Sequence, residues 1–123
     1  MNKFIKTVKE EDVCFEFLRV MNGIMGLTNR ELDVFSALVA LRIRDMKDKR
    51  LSRLSVDRTS NRKEIMSKLG VTKDNMSKYI GIFKENSLIY RSREGQTKIL
   101  DSLIPDIIGG KVVQTTILIK IQY

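Results

Sequence analysis

The sequence predicts an α+β fold of four helices, a two-stranded hairpin and a further C-terminal strand, and three observations carry that expectation. Apolar residues recur at three- and four-residue steps over about 11–45 and again over about 61–85, the spacing that puts them on one buried helix face. Beyond Asn86 the period shortens to two or less on either side of Arg93-Glu94-Gly95-Gln96, as in a hairpin. Finally, residues 112–123 are rich in β-branched side chains, which suit a strand.

Taken in order, residues 3–9 alternate enough through Phe4, Ile5 and Val8 to predict a short strand. Phe15, Leu18, Met21, Ile24 and Met25 then follow helical spacing. Glu10, Glu11 and Asp12 suit the positive end of that helix's dipole, and Gly26 stops it. Thr28 can cap the next helix, while Glu31, three residues on, can accept from the Thr28 N–H to complete a capping box. Leu32, Phe35, Leu38, Val39 and Ile43 give that helix, over about 29–45, one buried face. Residues 46–60, MKDKRLSRLSVDRTS, lose the period and gain charge. They predict a mobile loop with a short strand at 51–56.

A third helix is expected from Asn61, with Glu64 at the capping-box position and Ile65, Met66 and Leu69 facing inward. It ends at Gly70, which can adopt the left-handed conformation that closes a helix. Thr72 can cap a fourth helix over about 73–85, whose inner face is Met76, Tyr79, Ile80 and Phe83. The hairpin strands fall at 88–92 and 97–100, with Gly95 free to take a positive φ. Pro105 and Gly109-Gly110 bracket a connector to the last strand. One principal unit, 27–100, is expected, with an N-terminal extension at 1–26 and the connector and strand of 101–123 packing on the same domain.

Composition narrows the chemistry. The chain has 123 residues, no His, one Cys and no Trp. Without imidazole there is no His-based acid/base pair and no Ser-His-Asp or Cys-His arrangement. Cys14 alone cannot close an intramolecular disulfide or build a zinc knuckle. No paired carboxylates, phosphate-cradling glycine loop or metal cluster stands out, so no enzymatic activity, cofactor or metal is expected. The opening MNKFIKTVKEED lacks the apolar core of a leader, and no stretch approaches a membrane span. A cytoplasmic protein without a membrane partner is expected; its size and Lys/Ile/Asn-rich usage are compatible with a phage or mobile-element origin.

The formal net charge of +8 is unevenly placed. Residues 1–39 carry five basic and six acidic side chains, net −1, and residues 94–123 carry three of each. Residues 40–93 hold 15 basic groups against six acidic ones, a local surplus of +9. A concentration of this kind marks a surface that meets a polyanion.

The stretch from Glu64 to Ile80, EIMSKLGVTKDNMSKYI, resembles the helix-turn-helix of DNA-binding proteins. Gly70 would make the turn, Leu69 and Val71 would pin the helices together, and Met76 and Ile80 would seat the second helix. With the LIYRSREGQTKIL hairpin that follows, the order of elements is similar to a winged-helix domain over roughly 27–100. The resemblance implies double-stranded DNA as partner, with the second helix in the major groove and the hairpin as a wing on backbone or minor groove. Thr72, Lys73, Asn75, Ser77 and Lys78 would then face the groove, Arg62 of the preceding helix would also bind DNA, and Arg91, Arg93 and Lys98 would act from the wing. Lys73 and Lys78 suit guanine O6/N7 or phosphate, and Asn75 suits adenine.

This implies a small sequence-specific regulator of transcription or replication, for which the first helix with the final strand is the surface for pairing as a homodimer. The terminal strands and first helix depart from the minimal winged helix. Their presence leaves an alternative open: an adaptor or assembly component that docks a protein partner through its β-branched C-terminal strand.

Overall fold

The computed structural model describes residues 5–106, 113 and 117–122. Their main elements are α1 (Val13–Met25), α2 (Asn29–Met46), α3 (Thr59–Leu69), α4 (Lys73–Glu85), β1 (Ile89–Arg91) and β2 (Thr97–Ile99). Short 3-10 turns occupy Glu10–Asp12, Leu51–Arg53 and Asp101–Leu103. The result is α+β, four helices with one antiparallel hairpin.

The core is organised around α2, because that helix is apolar on more than one side. Leu32, Val34, Phe35, Leu38, Val39 and Leu41 are all buried, so α2 can receive α1 on one flank and α3 and α4 on another. Its start is set locally by the capping box: Thr28 Oγ1 accepts from the Glu31 N–H at 3.2 Å, and Glu31 Oε1 accepts from the Thr28 N–H at 2.9 Å. Gly26 closes α1 at φ 70°. Phe35 of α2 meets Phe83 of α4 edge to face, ring centroids 5.0 Å apart, a geometry that adds to burial alone.

The sheet is small but anchored. Ile89 pairs with Ile99, Tyr90 with Lys98, and Arg91 with Thr97. Ile89 and Ile99 turn inward into the core. Strand alternation therefore sends Tyr90 and Lys98 to the opposite face. On the far edge of β2, the Val56 N–H donates to the Thr97 carbonyl at 3.0 Å and the Thr97 N–H donates to Ser55 Oγ at 3.0 Å. One rung of a third strand is thus present without a third strand.

Several expectations change. Residues 5–9 form no strand; the described chain enters α1 through a 3-10 turn. The buried face of α1 is Cys14 and Leu18 with Phe17, Met21 and Met25 beside them, whereas Phe15 and Ile24, expected inside, are exposed. The strand expected at 51–56 is a 3-10 turn followed by the single rung at Val56. The loop around it is pinned rather than loose: Arg42 Nη1 donates to the Ser52 carbonyl at 2.9 Å. Finally, α3 begins two residues early, at Thr59, so Asn61 is not its cap and Glu64 closes no capping box. Asn61 is instead buried at 1% exposure. Of the strand expected over 112–123, residue 113 and residues 117–122 lie in neither helix nor strand, and residues 112, 114–116 and 123 fall outside the described residues. The connector glycines Gly109 and Gly110 also lie outside them. No helix among the described residues is long and apolar enough to cross a membrane.

Candidate nucleic-acid interface

The turn that sets α4 against α3 is built from local chemistry. Gly70 sits at φ 65°, a conformation glycine takes without the Cβ penalty of other residues. Its N–H and that of Val71 both donate to the Met66 carbonyl, which satisfies the exposed end of α3. Arg30, at the start of α2, also donates its guanidinium to the Leu69 carbonyl, placing a cation where the α3 dipole is negative. Val71 is buried and Thr72 Oγ1 accepts from the Asn75 N–H at 3.2 Å, capping α4. The Lys73 and Asp74 amides, in the first turn, have no intrahelical acceptor and make that end electropositive.

Met76, Ile80 and Phe83 anchor α4 in the core, with Tyr79 half-buried beside them. The opposite face is open. Lys73, Asp74, Asn75, Ser77 and Lys78 are exposed, and a side chain added at Gly81 would meet nothing within 4 Å. The sequence-predicted groove-facing residues therefore converge on one end of one helix. Thr72 joins them, although its oxygen is already engaged as the cap and only its hydroxyl proton remains to donate. Asp74 is the one anion in this turn; it suits the helix dipole and opposes phosphate.

Wing candidates divide. Arg93 lies at the hairpin tip, and Arg91 folds over it with Nε donating to the Gly95 carbonyl at 3.3 Å; Gly95 itself is at φ 84°. By strand alternation Arg91 and Lys98 fall on opposite faces of the hairpin, so they do not act together on one surface. The hairpin is tied to the end of α4 by the Leu88 N–H donating to the Phe83 carbonyl at 2.9 Å, with Ser87 between them at φ 59°.

Arg62 is placed differently from the rest. It is half-buried, its Nε donating to the Asp57 carbonyl at 2.7 Å and its Nη2 to Asp57 Oδ2 at 3.1 Å. It braces the entry to α3. Among the described residues, by contrast, Lys73, Lys78, Arg91, Arg93 and Lys98 have no carboxylate within salt-bridge distance.

Two anions of this region, Asp45 and Glu64, are held in a separate cluster that sequence reasoning missed. Asp45, at the end of α2, is 1% exposed. Its Oδ2 accepts from Arg58 Nη1 at 2.8 Å and Asn61 Nδ2 at 3.2 Å, and its Oδ1 accepts from Arg44 at 3.3 Å. Arg44 Nη1 also reaches both oxygens of Glu64 on α3, at 2.9 and 3.0 Å, and Asn61 Nδ2 donates to the Val56 carbonyl at 2.9 Å. Burial opposes ionisation of Asp45, but the bonds from Arg58, Asn61 and Arg44 outweigh it and hold the carboxyl below the usual carboxylate range. This network fixes α3 on α2, and through the turn it fixes α4. One sequence signal existed: Asp45 continues the series Val34, Leu38, Leu41 at helical steps, so a carboxylate stands at a core phase and requires partners.

Among the described residues no group of three or more Cys, Asp or Glu side chains is arranged as metal ligands would be. No protein family, curated protein or solved structure matches the chain.

Proposed function

We propose that this chain is a winged helix-turn-helix protein that binds double-stranded DNA sequence-specifically, as a small regulator of transcription or replication. The observation that carries the proposal is a coincidence of position. The +9 surplus of residues 40–93 includes the one helix whose first turns expose Lys73, Asn75, Ser77 and Lys78 together, while Asp45, Asp57 and Glu64 are engaged by arginines elsewhere. The element order, α2, then α3–turn–α4, then the hairpin, is the order on which the resemblance to a winged helix rests.

On this reading α4 enters the major groove by its N-terminal turns, where a helix comes nearest to base edges. Lys73 and Lys78 donate to guanine or to phosphate, Asn75 pairs with adenine, and Thr72 and Ser77 donate to phosphate oxygens beside the unpaired amides of the first turn. Arg93 and Arg91 approach the flanking backbone or minor groove from the hairpin tip. Arg62 and the Asp45 network contribute by holding α3, and so the angle at which α4 is presented.

Selection of bound duplexes from a random pool tests the proposal, with the Lys73→Glu/Lys78→Glu protein as comparison. An enriched duplex that the double variant no longer retains supports it. A pool that stays random, or a bound duplex indifferent to the two charge reversals, overturns it.

A further inference from the structure

We propose that the loop between α2 and α3 is a second DNA contact, in which Lys47, Lys49, Arg50 and Arg53 hold backbone phosphates beside the segment that α4 reads. This contact rests on the reading of α4 as the helix in the major groove, and it gives a role to a loop which that reading leaves unused. Residues 47–53 hold these four cations and a single anion, Asp48. All four cations are exposed. Among the described residues Lys47, Lys49 and Arg53 have no carboxylate within salt-bridge distance, and Arg50 approaches Asp48 only to 3.9 Å, with 93% of its side chain in solvent.

The loop is nonetheless fixed. Asp48 Oδ1 accepts from the Arg50 N–H at 2.9 Å, the Ser52 N–H donates to the Asp48 carbonyl at 2.8 Å, and Ser52 Oγ donates to the Lys49 carbonyl at 3.0 Å. A fifth cation, Arg42, holds the Ser52 carbonyl from α2. Like charges confined in this way repel one another, and a loose loop would let them spread. Bonds that keep them together instead present a rigid surface of one sign, the form that a polyanion fits.

Two contacts place the loop relative to α4. Arg30, at the start of α2, reaches the end of α3 at Leu69, whereas Asp45, at the end of α2, reaches Asn61 near the start of α3. The two helices are therefore antiparallel, and the loop stands at the end of α3 away from α4. The 11 residues of α3 span about 16 Å, more than the roughly 12 Å width of the major groove. With the first turns of α4 in the groove, the loop stands beyond its rim, where the duplex presents phosphates rather than base edges. Lys63 and Lys68, exposed on α3 between the two ends, continue the positive surface, and Glu64 between them is held by Arg44. The loop thus adds affinity and salt dependence without adding sequence preference.

The Lys49→Gln/Arg50→Gln/Arg53→Gln protein tests this, because none of the three side chains donates a hydrogen bond among the described residues. Binding of the full chain is measured at several salt concentrations on two duplexes, one trimmed to the selected bases and one extended on each side by about ten base pairs, a helical turn. On the longer duplex log K should fall with log salt more steeply, by about 0.9 for each added phosphate. The triple variant should lose that increment and bind the longer duplex at least about tenfold more weakly at low salt. It should select the same bases, with Tm and circular dichroism unchanged. Equal slopes on the two duplexes for the natural chain, or a triple variant as salt-sensitive as the natural chain, overturn the loop contact while α4 still reads the site. Phosphatidylglycerol vesicles that bind the natural chain and not the variant, with duplex binding unaltered, overturn it in favour of a lipid surface. A natural chain that binds neither duplex overturns the loop contact and the α4 reading together.

Discussion

Replacing Asp45 with alanine should destabilise the fold severely, because it removes the shared acceptor of a buried network. The carboxylate is 1% exposed and accepts from Arg58, Asn61 and Arg44. Breaking a buried ion pair by deleting one partner costs about 3–5 kcal/mol. Arg58 keeps 18% of its side chain in solvent and can partly rehydrate, which places the loss near the lower end, about 3 kcal/mol. For a folded unit of about 100 residues that corresponds to a fall in Tm of roughly 12–15 °C. Asp45→Asn keeps one acceptor oxygen and loses the charge, so its cost should be smaller, about 1.5–3 kcal/mol.

The same network predicts a pH dependence of defined sign. Since the folded pKa of Asp45 is lowered, its contribution is complete above the unfolded carboxylate value, about 3.9, and is lost as pH falls through the folded value. The stability gap between the natural chain and Asp45→Asn should be constant near neutral pH and shrink below about pH 4. Thermal and urea unfolding followed by circular dichroism measure both quantities. A Tm loss under about 4 °C for Asp45→Ala, or a gap that widens on acidification, would refute the reasoning.

Other consequences are more local. Thr72→Ala should cost about 1 kcal/mol through the lost cap on α4, and Thr72→Ser should restore it. Gly70→Ala should cost about 1–2 kcal/mol by conformation alone, because a Cβ there meets nothing within 4 Å; Gly70→Asn should cost less. At Gly81, where a Cβ is equally unobstructed, alanine should raise stability by about 0.5–1 kcal/mol, readable as a higher urea midpoint. Burial pushes the Cys14 thiol up to about 11, so thiol reagents at pH 8 should label the native chain far more slowly than the chain in denaturant. Equal rates would contradict its burial.

Features with local causes were legible in the sequence, and those with distant causes were not. Thr28 with Glu31, Gly70, Thr72 and Gly95 were legible because each does its work within four residues, by a cap or a positive φ. The inward stripe of α4 was legible for a similar reason: one face of one helix meets one core. The face of α1 was not, since Phe15 and Ile24 satisfy helical spacing as well as Cys14 and Phe17 do, and only the position of α2 decides between them. The start of α3 was misplaced because Asn61, a plausible cap by type, is drawn inward by Asp45 and the Val56 carbonyl, partners 16 and five residues away. For the candidate interface, the sequence could place the exposed cations of α4, but Arg62's engagement by Asp57 and the separation of Arg91 from Lys98 needed side-chain geometry and strand register.

The salt dependence of binding to a selected duplex tests the central claim most directly, because it counts the phosphates the cations neutralise. With about five phosphates engaged by Lys73, Lys78 and the hairpin arginines with their neighbours, log K plotted against log salt should fall with a slope near −4.5. The Lys73→Glu/Lys78→Glu protein should bind too weakly to measure. A slope near zero, or no detectable duplex binding by the natural chain at low salt, would contradict the claim.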